Sequence, residues 1–169
     1  SVVAALLTLA HYFKNKPLQH TLIFAALDAE EIDLLGVKYL LKNFPVQVED
    51  IVLNINMDMI SQSDSSELYA AGIYHYPHLK QPLDNLKDHQ IKLQYGHDDP
   101  NNKKEEDWTY TSDHYEFHKK KIPFVYFGVE SHEYFHQPTD IYTNVNKDFY
   151  VNAVNLIAEA IQGFDSYLS

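Results

Sequence analysis

Cysteine is absent from the 169 residues, which excludes disulfide staples and thiolate zinc centres alike. Basic residues are scarce, 13 against 24 acidic ones, for a net charge of −11. Phosphate backbones are held by clustered Lys and Arg, so this balance argues against a nucleic-acid partner. The one basic run, Lys119–Lys121, reads as the end of a helix. No apolar stretch approaches the roughly 20 residues that span a bilayer. The N-terminus also lacks the positive start and small-residue cleavage site of a signal peptide. Instead "SVVAALLTLAHYF" runs almost uncapped into an apolar helix pattern, as if the chain began partway through a fold; a native start is the alternative. What the chain does have is 10 histidines and 13 tyrosines, candidate ligands and side chains suited to a polar cleft. At this length one domain, residues 1–169, can bury a proper core.

Helix and strand patterns alternate along the chain. The spacing of Val2, Leu6, Leu9, Ala10 and Phe13 predicts a helix over Val2–Asn15, with Pro17 beyond its end. Thr21–Leu27 reads as a buried strand, being too short and β-rich for a helix. A helix over Asp33–Phe44 follows, with Leu34, Val37, Leu41 and Phe44 inward. "DIVLNINMDMI" reads as a second strand, apolar until Asn54, Asn56 and Asp58 break it. A short strand at Leu68–Ala71, a helix over Tyr76–Asp88 and a weak strand near Ile91–Tyr95 come next. "GHDDPNNKKEED" reads as a polar loop. Then follow a helix at Ser112–Lys121, a buried strand at Ile122–Val129, and a last helix from Asn146 with Tyr150, Ala153, Val154, Ile157, Ile161 and Phe164 on one stripe. This order implies an α/β fold: three layers, a mostly parallel (mixed) sheet, and helices on both faces.

Polar residues gather where the apolar strands stop. They are Glu30 and Glu31, then Asp58, then "ESHEYFHQPTD" after Val129. Open α/β sheets build their sites at such ends, and Glu, Asp and His are ligands that catalytic zinc accepts. Each residue also has a plainer alternative. Paired acids favour the first turn of a helix, an Asp after a strand forms turns or caps, and His136 alone would serve as an ordinary loop histidine. Their joint arrival at successive strand ends favours metal-assisted hydrolysis. His97, Asp98 and Asp99 form another cluster, but within the polar loop, and are read as solvated rather than ligating. His11, on the first helix, and His20, ahead of a strand, are not read as ligands.

"DAEEIDLLG", "NINMDMI", "SDHYEF" and "IPFVYFGVESHEYFHQPTD" together resemble metallopeptidase family 28, which includes bacterial leucyl aminopeptidases and has glutaminyl cyclases as structural relatives. The resemblance spans nearly the whole chain, in order and spacing, and implies a phosphorylase/hydrolase-like zinc exopeptidase architecture. It casts Glu30 as general base, Glu31 as a zinc ligand, Asp58 as a ligand of a second zinc, and His136 as partner of Glu31 on the first. Two metals about 3.5–4 Å apart would then activate a shared water, and peptides would be the substrate. Asp113 and His114 would support the site, or Asp113 would cap the following helix. Asp140 would orient metal-bound His136, or form a turn.

The chain departs from the family pattern in two ways. Where some members carry a tyrosine before the last histidine, which can support the oxyanion, this chain has Phe135; Tyr134 or Tyr110 would be the alternative sources of a phenol. The family's His-x-Asp and bridging aspartate, expected ahead of the first helix, are not in the sequence. The expectation is therefore a C-terminal portion of a zinc aminopeptidase that binds zinc weakly and hydrolyses peptides poorly alone. Self-association, or association with an N-terminal segment, is expected where covering structure is missing. The alternatives are a catalytically dead peptidase-like binding module and a glutaminyl-cyclase-like acyltransferase. Export to the periplasm or medium is what the resemblance implies for location.

Overall fold

The computed structural model describes residues 1–87 and 89–168. Four strands form one mixed sheet: β1 (Asn54–Met57), β2 (Glu67–Ala71), β3 (Lys92–Tyr95) and β4 (Phe124–Gly128), in the order β1-β4-β2-β3. β1 runs parallel to β4 and β2 parallel to β3, while β2 and β4 are antiparallel. All five residues of β4 are buried. This central position explains why its sequence is a continuous apolar run rather than an alternation.

The side chains of β4 divide between two cores. Val125 and Phe127 join the main core with α1 (Val2–Phe13), α3 (Lys80–Asp84) and α5 (Lys147–Tyr167). Phe124 and Tyr126 pack with Trp108 and Ala71 instead. α2 (Leu35–Lys42) and α4 (His114–Lys119) share a further cluster of Val37, Leu41, Phe117 and Ile122. Helical spacing accounts for each buried stripe: Ala5, Leu9 and Phe13 on α1, and Phe149, Ala153, Ile157, Ile161 and Phe164 on α5. α5 starts where the side chain of Asn146 accepts the Phe149 N–H at 3.0 Å, an N-cap that satisfies one of the free donors of the first turn.

Several expectations are corrected. Thr21–Leu27 is not a strand and belongs to no sheet among the described residues. Leu22 and Phe24 pack against the main core, so the apolar pattern reports burial, whereas a strand also needs ladder bonds to a neighbour, and none of the sheet's pairings among the described residues includes this segment. The segment is tethered at its start by Asp165 of α5, whose carboxylate accepts the Gln19 and His20 N–H groups at 2.8–3.0 Å. Asn54 and Asn56 do not break the second strand; they lie inside β1, and the apolar residues before them are irregular. The expected helix over Tyr76–Asp88 is a 3-10 turn, Pro77–Leu79, followed by the short α3, with Asp88 outside the described residues. α2 is shorter than expected because Asp33 and Leu34 adopt left-handed backbone angles before it.

Candidate metal-binding and catalytic cleft

The turn carrying the two glutamates is fixed by backbone geometry. Ala29 has φ of 53°, and its carbonyl accepts the N–H groups of Ile32 and Leu35 at 3.3 and 3.1 Å. Gly36, in the first turn of α2, lies so close to Asp28 that any Cβ there would collide with the Asp28 carbonyl. The turn is thereby pressed against α2, and Glu30 and Glu31 project beside β1 and β4 into a cleft of about 1120 Å³. Asp58 follows β1 directly and its N–H donates to the Phe127 carbonyl of β4 at 3.0 Å. Ala29, Met59, His97 and His136 all line this cleft and all have positive φ, at 53°, 51°, 58° and 54°. Non-glycine residues rarely adopt that conformation, and where they do they tend to mark functional sites.

Glu30, Glu31, Asp58, Asp113, His136 and Asp140 all line the cleft. Partial burial pushes Glu30 up to about 7, and the charges of Asp58, Glu31 and Asp113 add to the effect. Burial and then Asp58 raise Asp113 to about 6. Asp58 is also raised, chiefly by burial, although a hydrogen bond from Ser112 opposes this. Glu31 and His136 approach at 3.7 Å, with both side chains largely exposed, so their mutual attraction is weak in water.

Asp58 is held by a relay. Ser112 Oγ donates to Asp58 Oδ2 at 3.1 Å, and Asn56 Nδ2 donates to Ser112 Oγ at 3.0 Å and to His114 Nδ1 at 3.3 Å. His114 Nε2 in turn donates to the Trp108 carbonyl at 2.9 Å. The ring is therefore the neutral Nε2–H tautomer, and burial pushes its pKa down to about 4. His114 thus stands behind the cleft, reaching Asp58 through Asn56 and Ser112. Asp113 occupies the cap position of α4 without a side-chain cap bond, and its Oδ1 is buried with no hydrogen-bond partner. Asp140 lies at the exposed rim, and its backbone N–H closes a turn to the Gln137 carbonyl at 3.0 Å.

Sequence reasoning missed Asn56, Ser112 and Tyr126. Asn56 was legible in principle: strand residues i and i+2 share a face, so Asn56 of β1 faces the same way as Asp58. Tyr126 carries the phenol of the cleft, since Tyr134 and Tyr110 are not among the residues lining it. Its phenol is pushed well above the ordinary range by burial first, then by Asp58, Glu30 and Glu106. Gly128 makes room for it, because a Cβ there would stand 2.7 Å from the Tyr126 hydroxyl. Phe135, at the family's tyrosine position, stacks on His136 with ring centroids 3.9 Å apart.

The acid-rich cleft fits zinc in donor type and in charge, since crowded carboxylates that raise one another's pKa are stabilised by a cation. In number the fit is partial: among the described residues no group of three or more His, Asp or Glu side chains is placed to hold one ion.

The fold is that of known peptidases. The chain matches the aminopeptidase from Aneurinibacillus sp. strain AM-1 with a TM-score of 0.75 and 22% identity, over 94% of this chain and 37% of that one. It matches BSAP, a zinc aminopeptidase from Bacillus subtilis, at 0.74 and 22% identity, covering 96% of this chain and 40% of that one. The LapA aminopeptidase of Legionella pneumophila matches at 0.73 and 17% identity, over 96% and 45%. The chain therefore spans less than half the length of these structures. Comparison with curated protein sequences returns no match. The family model for peptidase family M28 matches residues 1–161, and the chain belongs to that family.

Proposed function

We propose that this chain carries the proton-transfer carboxylate and part of the metal-binding set of a zinc-dependent aminopeptidase that removes N-terminal residues from peptides. The observation supporting this is the convergence of Glu30, Glu31, Asp58 and His136, from three separate segments, on one acid-rich cleft. Glu31 and His136 would hold a zinc ion, with Asp58 as ligand of a second. Zinc bound there would supply Lewis-acid polarisation of the peptide carbonyl and a lowered pKa for water.

The chain's own groups supply the rest. Glu30, poised near 7, can take a proton from water at neutral pH and return it to the departing amine, since a general acid–base group works best near the ambient pH. Asn56 and Ser112 fix the carboxylate of Asp58 from behind. Catalytic zinc normally has three protein ligands. With no three donors placed together among the described residues, the isolated chain should hydrolyse peptides slowly.

Hydrolysis of leucyl p-nitroanilide with added zinc tests the reading. Glu30→Gln should lower the residual rate about 10²-fold or more, the span of a lost general base. A rate unchanged in that variant would contradict the assignment. A second reading, a peptide-binding module without catalysis, is favoured by the same shortage of converging donors; wild-type rates indistinguishable from buffer, with peptide binding intact, would select it.

A further inference from the structure

The polar loop after β3 is not solvated as its composition suggests: His97 and Asp98 are 5% and 4% exposed. Asp98 accepts the N–H groups of Gly72 and Tyr74 at 2.6 and 2.9 Å, which locks the loop to the end of β2. His97 is thereby laid flat on Trp108, with ring centroids 3.7 Å apart and planes 6° from parallel. Tyr69 closes the imidazole's edge at 4.7 Å. The mechanism proposed above uses none of these groups.

The hydrogen bonding of His97 leaves one atom unsatisfied. Its Nδ1 lies 3.0 Å from the Glu106 carbonyl oxygen, and a carbonyl only accepts, so Nδ1 carries the hydrogen. In the neutral ring Nε2 is then a bare lone pair. That nitrogen is buried with no hydrogen-bond partner, and Glu130 Oε1, an acceptor when ionised, lies 3.5 Å away. When the ring is neutral and Glu130 ionised, two acceptors face one another across 3.5 Å on the cleft wall with no donor between them. A buried polar atom left in this state is costly.

The surroundings select the missing donor. Glu105 and Glu106 line the same part of the cleft, and Glu105 Oε2 lies 3.2 Å from the His97 backbone N–H. Three carboxylates, Glu105, Glu106 and Glu130, outweigh Lys104, the one lysine among the described lining residues, and repel an anion. An apolar group would leave both acceptors unpaired. A metal ion would need a third converging ligand, and none is placed there among the described residues. A guanidinium, with five donors in a planar fork, can bond His97 Nε2 and Glu130 together; an ammonium can do so less completely.

We propose that His97 Nε2 and Glu130 form a specificity subsite for the cationic side chain, arginine before lysine, at the N-terminal position of a peptide bound in the cleft. The inference rests on the peptidase reading for the orientation of the peptide. Its test is a binding measurement that needs no turnover.

Calorimetric titration of the zinc-free 169-residue chain with Arg-Ala-Ala, norleucyl-Ala-Ala and Glu-Ala-Ala reads the preference directly. Arg-Ala-Ala should bind about 10-fold tighter than the norleucyl peptide, the lower range for a charge-assisted bond, and Glu-Ala-Ala weakest. Glu130→Gln, at a side chain 62% exposed, leaves the fold intact and should cut the preference to below about 3-fold. His97→Phe keeps a ring on Trp108 while deleting Nε2, and should do the same; a melting curve matching wild type certifies its fold. Equal binding of arginyl and norleucyl peptides by the wild type would overturn the subsite, as would a preference that survives both substitutions. Arginine preference without any Glu30-dependent hydrolysis would sustain the subsite and remove the peptidase reading. Hydrolysis of leucyl substrates with no arginine preference would do the reverse.

Discussion

Asp165→Ala is the sharpest test of how the glutamate-bearing segment is held. Asp165 is buried on α5 and receives three contacts from the start of that segment: the Gln19 N–H, the His20 N–H and His20 Nδ1 at 3.1 Å. Alanine leaves two backbone donors without partners, and each charge-assisted bond is worth about 1.5–3 kcal/mol. Partial exposure of His20 lets water recover some of that, so a loss of about 3 kcal/mol is expected. At about 2–4 °C per kcal/mol for a domain of this size, the melting temperature should fall by roughly 6–12 °C. Burial raises the Asp165 pKa, but the bonds from Gln19 and His20 outweigh it and leave it below the ordinary 3.8. A depressed carboxylate contributes stability that is complete above its unfolded value and lost as pH falls through its folded one. The gap between wild type and variant in circular-dichroism melts should thus hold constant down to about pH 5 and narrow only below about 4. A variant within 0.5 °C of wild type at pH 7, or a gap that already closes by pH 6, would refute the tether (~0.5 °C lies within the scatter of a neutral substitution).

Two other predictions follow from the relay and the phenol. His114 is held neutral with its pKa pushed down to about 4 by burial, so the unfolded chain takes up a proton before the folded one does; stability should fall as pH drops from about 6.5 to about 4, by roughly 3 kcal/mol, and His114→Gln should flatten that slope in chemical denaturation across this window. Gly128→Ala places a methyl 2.7 Å from the Tyr126 hydroxyl and should destabilise by about 1–3 kcal/mol as the buried ring shifts, measured by urea unfolding; an unchanged midpoint would mean that the phenol has room to move.

The elements with strong periodicity were legible in the sequence. α1, α5 and β4 were anticipated because a buried stripe or an unbroken apolar run writes itself into residue spacing. The pattern of Thr21–Leu27 reports burial, with Leu22 and Phe24 against the core, while strand status depends on a neighbour that spacing cannot reveal. The loop at His97 is the opposite case. Its polar composition is that of a solvated loop, yet long-range partners, the Gly72 and Tyr74 amides and the Trp108 face, bury it. Glu30, Glu31, Asp58 and His136 stand at ends of apolar runs in the sequence and in motifs resembling the family's, and all four line one cleft. The relay through Asn56 and Ser112 and the phenol of Tyr126 were not legible, because both depend on side chains meeting across β1, β4 and the turn before α4.

Glu31 and His136 are proposed as two ligands of a partial zinc site. Zinc titration of the purified chain by calorimetry at pH 7, with elemental analysis after dialysis, measures this most directly. Zinc should bind weakly, with a dissociation constant of about 1 µM or higher, and not at all in Glu31→Ala or His136→Ala. Two tightly held equivalents that survive dialysis, or binding unaffected by either substitution, would contradict it.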